Sequence, residues 1–286
     1  MIFNGIADFK SRGIAALHPG AVAILLMEDF VETASTLEHF LAIGFRNILV
    51  VGPDTLDIND SLSSQVLCIQ TATNAPDFMV DTVNSLVGGL SGRWIYYGFN
   101  AEYLFFPFCE SRGIDEFLAF MTEERRESVL SYVIDLYAED LADHRDGVSL
   151  ETACLDSAGY FAQNRYQDGV ALDRQMDIYG GLRWRFEEHV PFEKRRIDRI
   201  ALFRARAGLQ LLSNHTLNDA EMNTVSCPWH HNATAALCSF RAAKALRTNP
   251  GSSEAITDFH WFKSQKFQWN SQQLLELGII EPGQWF

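Results

Sequence analysis

Apolar and polar positions come in blocks along the first half of the chain. The run AVAILLM, residues 21–27, has no polar position on either face, the pattern of a strand covered on both sides of a sheet. In the following TASTLEHFLAIGF, Leu37, Phe40, Leu41 and Gly44 fall at helical spacing, with Ser35 or Thr36 as candidate cap and Gly44 as the stop. NILVVGPD is a second apolar strand that ends in a Gly-Pro turn. Strand, helix and strand in such close succession predict a βαβ unit, hence a parallel pair with a right-handed crossover. The alternation continues with a strand at QVLCIQ, a helix at DFMVDTVNSLVGGL and a strand at RWIYY, which together predict a sheet of the nucleotide-binding kind. GIDEFLAFMTEERRES reads as a helix with Ile114, Phe117, Leu118 and Met121 inward, and SVLSYVIDLYAEDL alternates like a strand.

From about Ala142 to Trp184 the periodicity fades into Asp, Tyr and Gly, which predicts a long irregular loop whose aromatics argue against full disorder. RIALFRA and LQLLSNHTL then predict two strands joined by a turn around Gly208. ATAALCSFRAAKALR and NSQQLLELG predict helices separated by TNPGSS. The expected class is α/β, a mixed but mostly parallel sheet flanked by helices, with helices at the C-terminal end.

Composition narrows the class of partner. A chain of 286 residues that is 47% hydrophobic can bury a sizeable core as one large domain or two small ones. A formal net charge of −14 argues against nonspecific binding to nucleic acid or to an anionic membrane surface, both of which need a positive field. The five cysteines are scattered, with no CxxC pair, so neither a disulfide framework nor a thiolate zinc site is expected. That usage fits a reducing cytoplasm. The opening residues have no basic segment leading into an apolar stretch and a cleavage site, and AVAILLM is too short to span a bilayer. An untargeted cytoplasmic protein with no transmembrane segment is the expectation.

In open α/β sheets the ligand crevice lies at the carboxyl ends of the strands, so polar residues just beyond strands are the ones to weigh. Three places qualify: Glu28 and Asp29 in MED, Asp54 in GPD, and Asn100 and Glu102 in NAE. A divalent ion that holds a nucleotide diphosphate takes one or two carboxylates and lets the phosphates complete its shell. Glu102 can serve directly, whereas Asn100 offers a neutral carbonyl.

The series as a whole resembles the family 2-like glycosyltransferases of the GT-A fold. MEDFVETASTLEHFLAIGFRNILVVGPD is similar to their opening, where a polar triplet precedes a helix and a strand that ends in a DNxS element. RWIYYGFNAEYLFF stands where those relatives carry a strand and the acidic DADEF element that binds metal and nucleotide sugar. RIALFRARAGLQLLSNHTL and CPWHHNATAALCSFRAAKAL are similar to the later strand ending in His and to the start of a C-terminal helix. The chain departs from the pattern where GPDTLD lacks the DNxS wording and where Asn100 replaces the first acid.

The resemblance implies one GT-A-like, Rossmann-like domain over residues 1–286. Its nucleotide-sugar-binding half runs to about residue 140 and its acceptor-binding half from about 141. It implies a nucleotide sugar donor, held by Glu28, Asp29, Asp54, Asn100 and Glu102, and a glycan, lipid-linked or small acceptor. It also implies a divalent metal, Mn2+ or Mg2+, on Glu102 with His215 and His230 as candidate ligands. His231 is set aside because neighbours on a strand or helix point apart. For the general base of an inverting reaction, Asp135, Glu139 and Asp140 lie at or just after a strand, and Asp140 is the choice. The cluster EKRRIDRIALFRAR, with Lys194, Arg195, Arg196 and Arg199, is expected to be a solvated edge that pairs with surplus acids, the rival being a phosphate contact. Trp184, Trp229, Trp261, Trp269 and Trp285 are expected mostly in the core, with sugar stacking as the alternative. Two rival functions remain: a non-catalytic relative that binds nucleotide, glycan or protein, and, last, a metal-dependent hydrolase suggested by WHH.

Overall fold

A computed structural model of the chain describes residues 1–226 and 231–285. It is mixed α/β, with a large, mostly parallel sheet flanked by helices. The strands are β1 (Ile2–Phe3), β2 (Val22–Leu26), β3 (Asn47–Gly52), β4 (Leu67–Gln70), β5 (Trp94–Phe99), β6 (Glu102–Phe105) and β7 (Ser128–Asp135). They continue with β8 (Tyr137–Ala138), β9 (Ala153–Asp156), β10 (Phe161–Gln167), β11 (Val170–Tyr179), β12 (Asp198–Arg204), β13 (Ala235–Ser239) and β14 (Ser264–Lys266). The chain forms two compact units. The first comprises Met1–Ala101, Cys109–Leu130 and Ile200–Asn223. The second comprises Glu102–Phe108, Ser131–Arg199 and the described residues from Thr224 onward.

In the first unit, β2 pairs in parallel with β3 on one side and β5 on the other; β3 pairs with β4, and β4 with β1, also in parallel. The far end of β12 lies antiparallel on β5. Every residue of β2 and β3 is buried, as the uninterrupted apolar runs require, and each buried Val, Leu or Ile side chain contributes about 1.5–3 kcal/mol. The crossover helix spans Thr33–Ala42. It starts earlier than the sequence suggests: neither Ser35 nor Thr36 is the cap, and the Thr36 hydroxyl instead donates to the Glu32 carbonyl from inside the first turn. Its end is as expected. Gly44 takes φ +101°, the Phe45 N–H reaches back to the Phe40 carbonyl and the Gly44 N–H to that of Leu41, a glycine-terminated helix end. The helices Phe78–Val87 and Ile114–Glu123 fall where their periodicity puts them, and Ile114, Phe117, Leu118 and Met121 are all buried.

In the second unit, β13 lies between β7, parallel to it, and β6, antiparallel to it. Glu102, Ser239 and Asp135 occupy one row across these three strands. A separate core of Tyr137, Leu141, Cys154, Leu182, Ala243, Leu246, Ile256 and Phe259 packs beside the helix Arg241–Thr248.

Three expectations are corrected. The segment from 142 to 184 is not an irregular loop: it holds β9 and the antiparallel hairpin β10–β11, closed by the two-residue turn Asp168-Gly169 with φ +52° and +80°. ATAALCS is not helical but contains the buried strand β13, and the helix begins only at Arg241. LQLLSNHTL forms no second strand, only the single bridge Leu211–Leu217. Among the described residues no helix is long and apolar enough to cross a membrane.

Candidate functional site

In the first unit the chain builds outward from β2 through β3 and β4, then returns to the other side of β2 to lay down β5. The order of strands therefore reverses between β2 and β5. Such a reversal, at the carboxyl ends of parallel strands, is the kind of place where open α/β sheets take their ligands. The residues at that point are Glu28 and Asp29, just beyond β2, and Asn100, just beyond β5.

Asn100 ties the two strand ends together. Its carbonyl oxygen accepts the Glu28 N–H at 3.0 Å, and its amide nitrogen donates to Asp29 Oδ1 at 2.5 Å and to the Val31 carbonyl at 2.9 Å. Asp29 Oδ1 also accepts the Val31 N–H at 2.9 Å, so the 28–31 loop closes on itself through the amide. The side chain is fully buried. An aspartate here could accept the Glu28 N–H but could donate to neither Asp29 nor Val31. The Asn100 amide is thus the group this loop requires. Ala101, fully buried beside it, adopts a left-handed φ of +57°, and its N–H donates to Thr36 Oγ1 at 2.9 Å. That backbone conformation costs a residue with a Cβ roughly 1–2 kcal/mol.

Glu102 belongs to the second unit and is fully buried there. Arg199 Nη1 donates to its Oε2 at 2.8 Å and Nη2 to its Oε1 at 3.3 Å; Ser239 Oγ donates to Oε1 at 3.0 Å, and Arg241 Nη1 stands 3.8 Å away. Burial by itself would push this carboxyl up, but the charges of Arg199 and Arg241 and the hydrogen bonds from Arg199 and Ser239 outweigh it and hold it below the ordinary carboxylate value. Glu102 is therefore an ionised, internally neutralised acid. As it stands, NAE does not fit a divalent cation: Glu102 is chelated by a guanidinium, and the Asn100 carbonyl is turned to the Glu28 N–H.

The other expected site residues are dispersed. Asp54 is exposed on the turn after β3. Near that turn, at the carboxyl ends of β3 and β4, a cavity of about 470 Å³ is lined by Gly52, Pro53, Leu56, Asp57 and Gln70 among others. A second cavity of about 480 Å³ lies at the opposite end of the sheet, around Gly20, Arg93, Trp94 and Asp115. His215 sits in the first unit with φ +64°, its Nδ1 3.0 Å from the Tyr97 hydroxyl and its ring stacked on Tyr97. His230 and Trp229 lie outside the described residues. Among the described residues no three His, Cys, Asp or Glu side chains are grouped so as to hold a metal ion.

Asp140 is exposed, and its Oδ1 accepts only a local N–H, that of Ala142 at 2.7 Å, which gives it little to orient it. Asp135, five residues earlier at the end of β7, has the opposite environment. It is buried against Gly181, accepts the Arg183 N–H at 3.2 Å and Nε at 3.1 Å, and burial pushes its carboxyl up despite Arg183. Nearby Asp156 accepts from Tyr137 Oη at 2.6 Å, Arg185 Nε at 2.8 Å and Trp261 Nε1 at 2.8 Å. Sequence reasoning weighs Asp135 as a base but misses its neighbours Gly181, Arg183 and Asp156, for which the glycine pair in GGLRWR is the signal: Gly181 has φ +66°, and a Cβ on it would stand 2.9 Å from Asp135 Oδ2.

The basic cluster does pair with acids, but not as one solvated edge. Lys194 is exposed, Arg195 pairs with Glu187, Arg196 with Asp177 and Asp198, and Arg199 is one of the most buried side chains in the protein. Of the tryptophans, Trp261 and Trp269 direct their N–H groups inward, to Asp156 and the Leu150 carbonyl, Trp285 is buried, and Trp184 keeps 37% exposure.

No protein-family model matches the chain, and no curated protein matches it either.

Proposed function

We propose that the chain is a glycosyltransferase of the GT-A type that takes a sugar from a nucleotide diphosphate donor, with the donor lying across the carboxyl ends of β2 and β5. The observation that carries this reading is the coincidence of the strand-order reversal with a pinned polar loop: Glu28, Asp29 and Asn100 meet where an open α/β sheet takes its ligand. The ordered series of motifs, MED, GPD and NAE, supports it from the sequence side. Transfer would require positive charge opposite the departing diphosphate, an electrostatic stabilisation of charge that develops as the glycosidic bond breaks. The acceptor would be a glycan, a lipid-linked sugar or a small molecule.

A second reading, a binding protein that keeps the donor crevice without turnover, is favoured by the closed state of Glu102, which leaves the motif's acid without a free oxygen for chemistry.

Thermal unfolding against a panel of nucleotide sugars tests both, because a ligand that binds the folded chain raises its midpoint. The transferase reading expects a donor-specific rise together with slow release of the free nucleoside diphosphate. A rise with no release over prolonged incubation selects the binding protein. No rise with any nucleotide overturns both.

A further inference from the structure

We infer that β10 is an interaction surface for a second copy of this chain: the two β10 strands pair antiparallel about a two-fold axis at Asn164 and join the two hairpins into one continuous sheet. The inference is independent of the donor reading and rests on the hairpin alone, which lies within the second unit.

The direction of the backbone groups along β10 follows from its partner strand. Ile178 of β11 turns its carbonyl to the Ile197 N–H at 2.8 Å and its own N–H to Asp198 Oδ1 at 2.9 Å, both away from β10. Residues directly opposite in an antiparallel pair either exchange their hydrogen bonds or both turn outward. Ala162, opposite Ile178, therefore turns its N–H and C=O outward, and so does Asn164, two residues on and opposite Met176. The other end of the strand gives the same phase. Gln167 and Val170 flank the turn and exchange bonds across it, so Tyr166, opposite Ala171, also turns outward. The register shift between Asn164 and Tyr166 is taken up by the extra residues of β11, and β10 itself stays regular. Among the described residues no hydrogen bond reaches the outward backbone groups of Ala162, Asn164 and Tyr166.

An open strand edge is a template for another chain, and proteins guard such edges with proline, exposed lysine or a bulge. FAQNRYQ has no proline and no lysine, and its one charge, Arg165, is buried and paired with Asp177 and Asp198. A second copy is the occupant that the register favours. A two-fold axis at Asn164 sets Ala162 opposite Tyr166 of the other copy, so that each outward N–H meets an outward carbonyl. Tyr166, 61% exposed, then lies over the small Ala162, and the two Asn164 amides meet at the axis. Arg165 falls opposite Gln163 of the other copy, so no like charges face each other. Met176 and Ile178, half-buried, continue the same face on β11. A two-stranded ribbon is marginal by itself and gains stability from added strands.

The test is sedimentation velocity on the full chain over a concentration series, with a reversible dimer expected for the parent. Asn164→Pro removes an outward N–H, leaves the bonds to β11 in place and should weaken the dimer about tenfold. Asn164→Lys and Asn164→Glu each set like charges across the axis and should weaken it about fivefold, whereas an equimolar mixture of the two should dimerise at least as tightly as the parent. Thermal midpoints taken where the parent is monomeric check that each variant is folded; if Asn164→Pro unfolds, the charged pair decides. A parent that stays monomeric throughout overturns the inference and leaves the edge to a segment of another protein. A dimer that none of the three substitutions weakens places the contact elsewhere and overturns it as well. Weakening in both charged variants with no recovery in their mixture overturns the two-fold register at Asn164.

Discussion

Glu102 and Asp135 stand in the same row of three strands, with Ser239 between them, and both are carboxylates excluded from water and paired with arginine. Yet they lean in opposite directions: Glu102 is held below the ordinary carboxylate value and Asp135 is pushed above it. Desolvation is the first influence on each, so the neighbours decide. Glu102 has a bidentate Arg199, a second guanidinium and a hydroxyl donor, whereas Asp135 has Arg183 through a single side-chain nitrogen and a backbone N–H, with Asp156 near enough to repel. Two strand spacings, about 10 Å, separate a carboxyl whose surroundings favour its charged form from one whose surroundings disfavour it.

The largest expected effect sets the two arginines against each other. Arg199→Ala strips the buried Glu102 of its bidentate partner and should lose about 3–5 kcal/mol in urea unfolding at neutral pH, most of it recovered in Glu102→Gln/Arg199→Met. Arg183→Ala should lose markedly less, because Asp135 can take up a proton. Equal losses would break the contrast.

Next in size is Asn100→Asp, which removes two donors and sets a second carboxylate against Asp29. A loss of about 2–3 kcal/mol at neutral pH is expected, shrinking as acid protonates the pair. A variant as stable as the parent at pH 7 would mean that the amide does not hold the loop.

The pH dependence follows from the two directions. Glu102, depressed in the folded state, contributes stability that is present above its ordinary value of 4.5 and is lost as pH falls through the lower folded value. Asp135, raised in the folded state, contributes stability that is present below its ordinary value of 3.8 and is lost as pH rises through the higher folded value. Urea midpoints measured across the acid range should therefore flatten at the acid end in Glu102→Gln. In Asp135→Asn they should lose less stability than the parent as pH rises from that end. Slopes that change in the same sense in both variants would refute the assignment.

The smallest effect expected is that of Gly181→Ala. With φ +66° and a Cβ that would crowd Asp135, it should cost about 1 kcal/mol or somewhat more, and a neutral result would show that Asp135 can yield its place.

These contrasts also mark how much the sequence reveals. The βαβ unit around β2 and β3 was legible because fully buried parallel strands leave unbroken apolar runs, and Gly44 closes the helix between them. The hairpin β10–β11 was not, because few of its residues are buried and no apolar alternation arises; its one clear signal is the Asp168-Gly169 turn. The strand β13 was hidden for another reason, since AALCS has an alanine-rich, helix-like composition and is a strand only because β6 and β7 flank it. Around NAE, the place of the polar residues at a strand end was readable but their partners were not. Arg199 is 97 residues from Glu102, inside a charge run that reads as surface, and only the sheet brings it to the acid.

The amide latch at Asn100 also constrains how such a chain can change. Turning NAE into a pair of acids by single substitutions passes either through Asp beside Asp29 or through a Glu102 stripped of Arg199, and each intermediate is less stable than where it started. An exchange of that kind therefore needs either coupled replacements or a stability reserve acquired beforehand elsewhere in the fold.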